Sequence, residues 1–349
     1  MSGHLNRRVL LKERPTGIPQ ARHFQLDEAV VQPLQDGEVL VRNDWLSVEP
    51  AMRGWVSAVR NYSEPVEIGA VMRSFAAGTV VASRDPAVHE GAHVTGLFGW
   101  QDYAVVRAGG IERVVTESDL PLATALGVMG INGVTAHYGL LEIGRPVPGE
   151  TVVVSTAAGS VGSCVGQIAR LSGCRTVGIT GGPQKVRLCQ ETFGFDAAVD
   201  YKAPDFESRL AEACRGGVDV YFDNTSGAIS DAVMAHLRPG ARVVICGTSS
   251  IASWDPAPMG PRVERRLLVN RASMQGFVIF DHAEHHPVAR RDLAQWLRAG
   301  RLRYLEDVLE GLDKAPDAIA GLYRGDNLGK RLIRVRPEEG PGGADASRA

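Results

Sequence analysis

The stretch Thr151-Val-Val-Val-Ser-Thr-Ala-Ala-Gly-Ser-Val-Gly-Ser-Cys-Val-Gly-Gln-Ile-Ala-Arg170 constrains this chain more than any other. Val152 to Val154 form a short β-branched run of the kind that serves as a strand buried on both faces of a sheet. The run ends in the small residues Ala157, Ala158 and Gly159. From about Ser160, the residues Val161, Val165, Ile168 and Ala169 recur at the spacing of one helical face. Between strand and helix lies Ala157-x-Gly159-x-x-Gly162. Gly159 lets the backbone approach a pyrophosphate, and Gly162 lets the helix lie close to the strand. The helix N-terminus offers unpaired N–H groups to the anion. The same pattern also describes a tight turn that binds nothing, but strand, turn and helix in this order favour dinucleotide binding.

A chain of 349 residues suggests about two domains. Its net charge of −2 gives no reason to expect nucleic acid or an anionic membrane as a partner. No apolar run approaches the ~20 residues that span a bilayer, and the N-terminus lacks an apolar signal core. A cytoplasmic location is expected. All five cysteines (Cys164, Cys174, Cys189, Cys214, Cys246) lie in the second half, spaced unlike a disulfide or zinc framework, and read as small reduced core residues.

Residues 1 to about 124 carry short strand signals broken by glycine and proline, such as Glu38–Arg42, Gly78–Ser83, Ala92–Leu97 and Tyr103–Arg107. These suggest a small β-barrel-like domain. Residues 123–141 can form a helix or two, interrupted around Gly130 to Gly133. Strands are then expected at 152–154, 175–180, 197–201, 218–223, 241–246 and 273–280, with helices at 183–193, 205–214 and 228–237. That alternation predicts a doubly wound parallel sheet over residues 125–308. A helix over 288–299 follows, and residues 309–336 are expected to return to the first domain. The polar, glycine-rich tail 337–349 is expected to be disordered.

The second strand of the sheet ends Thr180-Gly-Gly-Pro183, without the carboxylate that holds a ribose 2′-hydroxyl in NAD-selective folds. Lys185 lies just beyond it and Tyr201 follows the third strand. A cation and a phenol suit a 2′-phosphate and so favour NADP, although Lys185 taken alone also reads as a solvated surface lysine. A catalytic zinc is not expected, because no cysteine precedes Cys164 and His4, His23, His89 and His93 form no ligand pattern. The stretch Asp281-His-Ala-Glu-His-His-Pro287 is placed on a loop before a helix that starts at Pro287, as a solvated surface or a metal site. Arg262, Arg265, Arg266 and Arg271 read as a charged rim.

Five motifs, Val48-Glu-Pro-Ala-Met-Arg-Gly54, Ala157–Ser163, Tyr221-Phe-Asp-Asn-Thr-Ser-Gly227, Ile245-Cys-Gly-Thr248 and Gly325-Asp-Asn-Leu-Gly-Lys330, make the chain resemble a known group. It is similar over about residues 8–335 to the zinc-independent medium-chain dehydrogenase/reductases, in the NADP-dependent alkenal double-bond reductase branch. The resemblance implies an α/β protein with a GroES-like β-barrel domain and a Rossmann domain. It also implies a homodimer, NADP(H) as cofactor, and reduction of the C=C bond of an enone or alkenal. A quinone oxidoreductase, or an NADPH-binding protein without turnover, are the alternatives. By resemblance Gly159, Ser160, Val161 and Gly162 hold the pyrophosphate, and Lys185 and Tyr201 the 2′-phosphate. Thr135, Asn224, Cys246, Gly247, Thr248, Phe277, Val278 and Asn327 match further cofactor contacts. Tyr62, in the loop after Met52-Arg53, is the candidate proton donor or else a packing anchor; Ser249, Trp100 and Tyr103 are lesser candidates for the pocket wall. Ala51, Ile131-Asn132 and Thr248–Trp254 depart from the group's pattern near the expected substrate pocket.

Overall fold

The computed structural model describes residues 4–59, 61–251 and 256–336, so the tail at 337–349 lies outside the described residues. The chain divides into two compact units, one of Met1–Ala123, Val308–Leu322 and Arg331–Ala349, the other of Thr124–Asp307 and Tyr323–Lys330. The segment 323–330, expected in the first domain, belongs with the second. The physical reason is local: Gly329 donates its N–H to Ala158 O, and Lys185 Nζ donates to Gly325 O at 2.8 Å.

In the first unit β1 (Leu5–Leu11) and β2 (Phe24–Val30) form an antiparallel pair. A seven-stranded sheet is built around β3 (Glu38–Ser47). It adds β4 (Ala76–Ser83), β5 (His93–Gly96), β6 (Tyr103–Arg107) and β7 (Ile111–Val114). Register shifts at Leu40/Val41 and Asn43/Trp45 bend β3. One half of it therefore pairs with β6 and the other half with the late strand Lys330–Arg334.

The second unit is a six-stranded parallel sheet. Its strands are β8 (Thr151–Ser155), β9 (Arg175–Thr180), β10 (Ala197–Asp200), β11 (Val218–Asp223), β12 (Leu237–Ile245) and β13 (Ser273–Gly276), in the order β10-β9-β8-β11-β12-β13. The late strands β14 (Glu306–Glu310) and β15 (Lys330–Arg334) close the sheet of the first unit. Every residue of β8 and β11 is buried, as expected of strands covered on both faces. Each apolar side chain there contributes about 1.5–3 kcal/mol from burial. The strand order reverses between β8 and β11, and in open parallel sheets ligands bind beyond the carboxyl ends of the strands at such a point.

Three expectations are corrected. The last strand stops at Gly276 instead of residue 280, because its partner β12 ends at Ile245, the residue paired with Gly276. Phe277 then packs its ring where a side chain on Gly139 would stand. The helical break falls at 127–130, and Gly133 lies inside the helix Ile131–Tyr138, where a Cβ would overlap the Val128 carbonyl oxygen, so this glycine serves close packing and not a break. Residues Ile279–His285 form 3₁₀ turns where a loop was expected, and His286 starts the helix His286–Arg298 with Pro287 second.

Candidate functional site

The carboxyl end of β8 leads into the glycine turn. Gly159 caps the helix Ser160–Leu171 with extended backbone angles and no side-chain hydrogen bond, so the first turn keeps its N–H groups for an anion. A Cβ on Gly162 would overlap the Thr156 carbonyl oxygen and lie 3.0 Å from Ala157 Cα, which makes glycine the residue that lets the helix approach the strand. Gly159 is less confined, with Thr156 Cγ2 at 3.0 Å from such a Cβ. Gly159 forms a parallel bridge with Gly329. Asn327, two residues before, donates its side-chain N–H to Gly329 O at 2.8 Å, so Asn327 lies close to the turn.

The far end of the same edge is basic. Measured from a Cβ position on Gly325, Lys185 Nζ lies at 3.6 Å and Lys202 Nζ at 3.9 Å. Tyr201 packs its ring against Gly181, and Lys202 Nζ stands 5.9 Å from the centre of that ring. Lys202 escaped the sequence reading. Its ammonium group has no hydrogen-bond or ion-pair partner among the described residues, whereas that of Lys185 has the Gly325 carbonyl. The nearest acid in sequence, Asp200, is engaged through Oδ1 by the backbone N–H groups of Gly182 and Lys202, at 2.8 and 2.9 Å. Two ammonium groups and a phenol thus converge with that carboxylate turned to the backbone. This corner fits a phosphate on the 2′-oxygen.

On the other side of β8 from that corner, β11 and β12 contribute the crevice wall. Asn224 donates from Nδ2 to Ser155 O at 2.7 Å and from its backbone N–H to Ser155 Oγ at 2.8 Å. Cys246 and Gly247 donate their N–H groups to Asp223 O, and Ser249 Oγ donates to Asn224 O. Ser249 therefore ties two loops together. Thr248 lies in the same loop, partly exposed. The Cys246 thiol is pushed up to about 12 by burial and then by the Asp223 carboxylate, so it is a neutral thiol at physiological pH. Thr135 lies on the helix Ile131–Tyr138 and donates to Ile131 O at 2.7 Å. Phe277 and Val278 follow β13, with the Phe277 ring 5.7 Å from that of Tyr138.

The histidine stretch is not simply solvated. Tyr138 is buried, its ring stacks on His282 at 4.2 Å, and its hydroxyl lies 3.0 Å from His282 Nδ1. His285 meets the same tyrosine edge-on at 5.0 Å. Among the described residues no group of three or more His, Cys, Asp or Glu side chains is arranged to hold a metal ion. Nor is any helix among them long and apolar enough to cross a membrane.

Tyr62 belongs to the first unit. It is 54% exposed, and the preceding Asn61 leans its amide on Gly54 of the short helix Met52–Trp55, which holds the loop that carries Tyr62 against that helix. Trp100 and Tyr103 are corrected: both are buried, Trp100 against Phe24 and Tyr103 between His4 and Arg336, so they serve the core of that unit.

Residues 7–114 match a family described as N-terminal domain of oxidoreductase, and residues 160–295 one described as zinc-binding dehydrogenase. An NADPH-dependent curcumin reductase of Escherichia coli is 40% identical over 96% of this chain and 98% of its own length. A 2-alkenal reductase (NADP(+)-dependent) of Nicotiana tabacum is 33% identical over 95% of this chain and 98% of its own. The structure of CurA from Vibrio vulnificus in complex with NADPH superposes with a TM-score of 0.88 at 41% identity, over 95% of this chain and 99% of that one. The chain belongs to the medium-chain dehydrogenase/reductase family, in the NADP-dependent branch that includes the curcumin and 2-alkenal reductases.

Proposed function

We propose that this protein uses NADPH to reduce the carbon–carbon double bond of α,β-unsaturated aldehydes and ketones, leaving the carbonyl intact. The observation that carries the reading is the continuous edge from the uncapped Gly159–Gly162 turn to the Lys185, Tyr201 and Lys202 corner, which matches a dinucleotide with a 2′-phosphate. The relatives named for curcumin and 2-alkenal reduction supply the substrate class. NADPH, when bound, supplies a hydride to the β-carbon of the alkene. Gly159, Ser160, Val161 and Gly162 hold the pyrophosphate; Lys185, Tyr201 and Lys202 hold the 2′-phosphate; Asn327 lies over the same edge. Asn224, Cys246, Gly247, Thr248, Thr135, Phe277 and Val278 orient the nicotinamide half. Binding and orientation of this kind supply much of the rate, because the donor atom must stay about 3–3.5 Å from the carbon it attacks.

Turnover is zinc-independent in this reading: the first unit has no cysteine to join a ligand set, and the charge on an enolate spreads widely enough for hydrogen bonds to stabilise. With deuterated NADPH and an enone, mass spectrometry is expected to find the label on the β-carbon, with the same rate after dialysis against a chelator. Label on the carbonyl carbon of an allylic alcohol, or turnover with 1,4-quinones alone, would count against the proposal.

Tyr62 Oη donates the proton that completes the reduction at the α-carbon. Its exposure and the hold of its loop against the Met52–Trp55 helix support the role. Tyr62→Phe is expected to lower kcat roughly 10- to 1000-fold with the NADPH KM little changed. An unaltered kcat would leave the ring as a packing anchor.

The protein is a homodimer of the cytoplasm in the same reading. The edge strand β13 is largely exposed, and Leu268 and Val269 on the adjacent helix are 78% and 56% exposed, a combination that a second copy covers. Five unpaired cysteines suit a reducing compartment. Light scattering is expected to give twice the chain mass of 37.4 kDa; a monomer at micromolar concentration would refute the assembly.

A further inference from the structure

The Asp223 carboxylate, at the carboxyl end of β11, is fully buried and holds its neighbours through one oxygen. Oδ1 accepts hydrogen bonds from the N–H groups of Thr225 and Ser226, at 2.9 and 2.8 Å, and from the hydroxyls of Tyr221 at 3.0 Å, Thr225 at 3.2 Å and Ser155 at 3.3 Å. Oδ2 is buried without a partner among the described residues. Three residues on, Ser226 has φ 58° and ψ −164°, a region essentially reserved for glycine. A serine stays there only if its surroundings over-determine the turn, and the Ser226 N–H bond to Asp223 Oδ1 is the shortest of the five. Ser226 Oγ also donates to Gly247 O at 3.3 Å, joining the strained turn to the Cys246–Thr248 loop.

A second line runs through Ser155. Its hydroxyl donates to Asp223 and accepts from the backbone N–H of Asn224, while its carbonyl accepts from Asn224 Nδ2. Asn224 is thus held by Ser155 through both its backbone N–H and its side-chain amide, and Asp223 holds the Ser155 hydroxyl. We infer that Asp223 is a positioning residue for cofactor binding: its carboxylate holds Ser226 in a glycine-only conformation and Ser155 against Asn224, and so keeps Asn224 directed at the crevice where β8 and β11 part. The inference rests on the reading of Asn224 as a cofactor contact.

Asp223→Asn is a near-isosteric probe, since an amide oxygen can replace Oδ1 and the amide NH2 then falls at the unpartnered Oδ2. It removes the negative charge that strengthens five hydrogen bonds. Calorimetry on the full chain is expected to show the Kd for NADP+ raised about tenfold by Asp223→Asn. Adding Ser226→Gly to that variant is expected to bring the Kd back to within about threefold of Ser226→Gly alone, because glycine takes the conformation without the carboxylate. A purely structural Asp223 would lower the melting temperature of the ligand-free protein but leave the Kd unmoved below it, and Ser226→Gly would then recover stability without touching affinity. That outcome overturns the proposal. Ser155→Ala cuts the hydroxyl between Asp223 and Asn224 with the carboxylate in place. It is expected to raise the Kd several-fold even if Asp223→Asn does not fold, and an unchanged Kd refutes the inference. Asn224→Ala separates the two readings. Unchanged affinity there overturns Asn224 as a contact and this inference with it; a loss there, with none in Asp223→Asn or Ser155→Ala, overturns the inference alone.

Discussion

Replacing Lys185 and Lys202 together by alanine is expected to raise the KM for NADPH by roughly 10²- to 10⁴-fold, while NADH kinetics barely move. The size follows from two charge-assisted hydrogen bonds of about 1.5–3 kcal/mol each. Both ammonium groups face the same point at Gly325, 3.6 and 3.9 Å from where a side chain there would begin. Lys185 keeps a neutral carbonyl acceptor, whereas Lys202 keeps none among the described residues. A dianion placed between them therefore meets two positive charges at short range, and a free 2′-hydroxyl meets little that rewards it. The single variants separate the contributions. Each is expected to cost about 10- to 100-fold with NADPH, and the Lys202→Ala loss is not expected to exceed that of Lys185→Ala, since Lys202 is the more exposed of the two. Steady-state KM values with both cofactors check this directly. Equal losses for NADPH and NADH would mean that the lysines hold the fold of the 323–330 segment and not a phosphate.

What was legible in the sequence was what local patterning controls. The β-branched run before a glycine turn, and the apolar spacing after it, located β8 and the helix Ser160–Leu171 to within a residue or two. The strands at 175–180 and 218–223 coincide with expectation because their ends carry abrupt changes of polarity. Features set by tertiary contact were not legible. Lys202 follows Tyr201 in sequence, and adjacent residues of a strand point to opposite faces; only the turn after β10 brings both beside Gly181. The segment 323–330 carries no periodicity of its own and takes its place from the bridge of Gly329 to Gly159. The histidines before Pro287 read as surface because nothing nearby in sequence announces the buried Tyr138, 144 positions away from His282. The Asp223 network is likewise hidden, since five donors to one oxygen come from β8, β11 and the turn beyond it.

The two glycines of the turn are expected to fail in different ways, which makes them a stringent test of the site. Gly162→Val should reduce NADPH affinity roughly 10²- to 10⁴-fold, the loss of two pyrophosphate hydrogen bonds at about 1.5–3 kcal/mol each. The cause is steric and lies in the ligand-free protein. A Cβ on Gly162 overlaps the carbonyl oxygen of Thr156 and crowds Ala157 Cα at 3.0 Å, and these backbone atoms cannot swing aside as a side chain can. The helix Ser160–Leu171 must lift from β8, taking its N–H groups away from the anion. That movement also breaks close packing, so the melting temperature of the ligand-free protein should fall by an amount equivalent to about 1–3 kcal/mol. Gly159→Ala puts its Cβ only 3.0 Å from Thr156 Cγ2 and 3.2 Å from Thr156 O, contacts that a few tenths of an ångström relieve, with φ already at −85°. Its ligand-free melting temperature should therefore stay near that of the parent, and its added methyl should weaken NADPH only where the pyrophosphate has to pass. Differential scanning calorimetry without cofactor, paired with NADPH titration, distinguishes the two. If Gly159→Ala lost neither stability nor affinity, the backbone at Gly159 would not approach the pyrophosphate, and the cofactor edge would have to begin further along the helix.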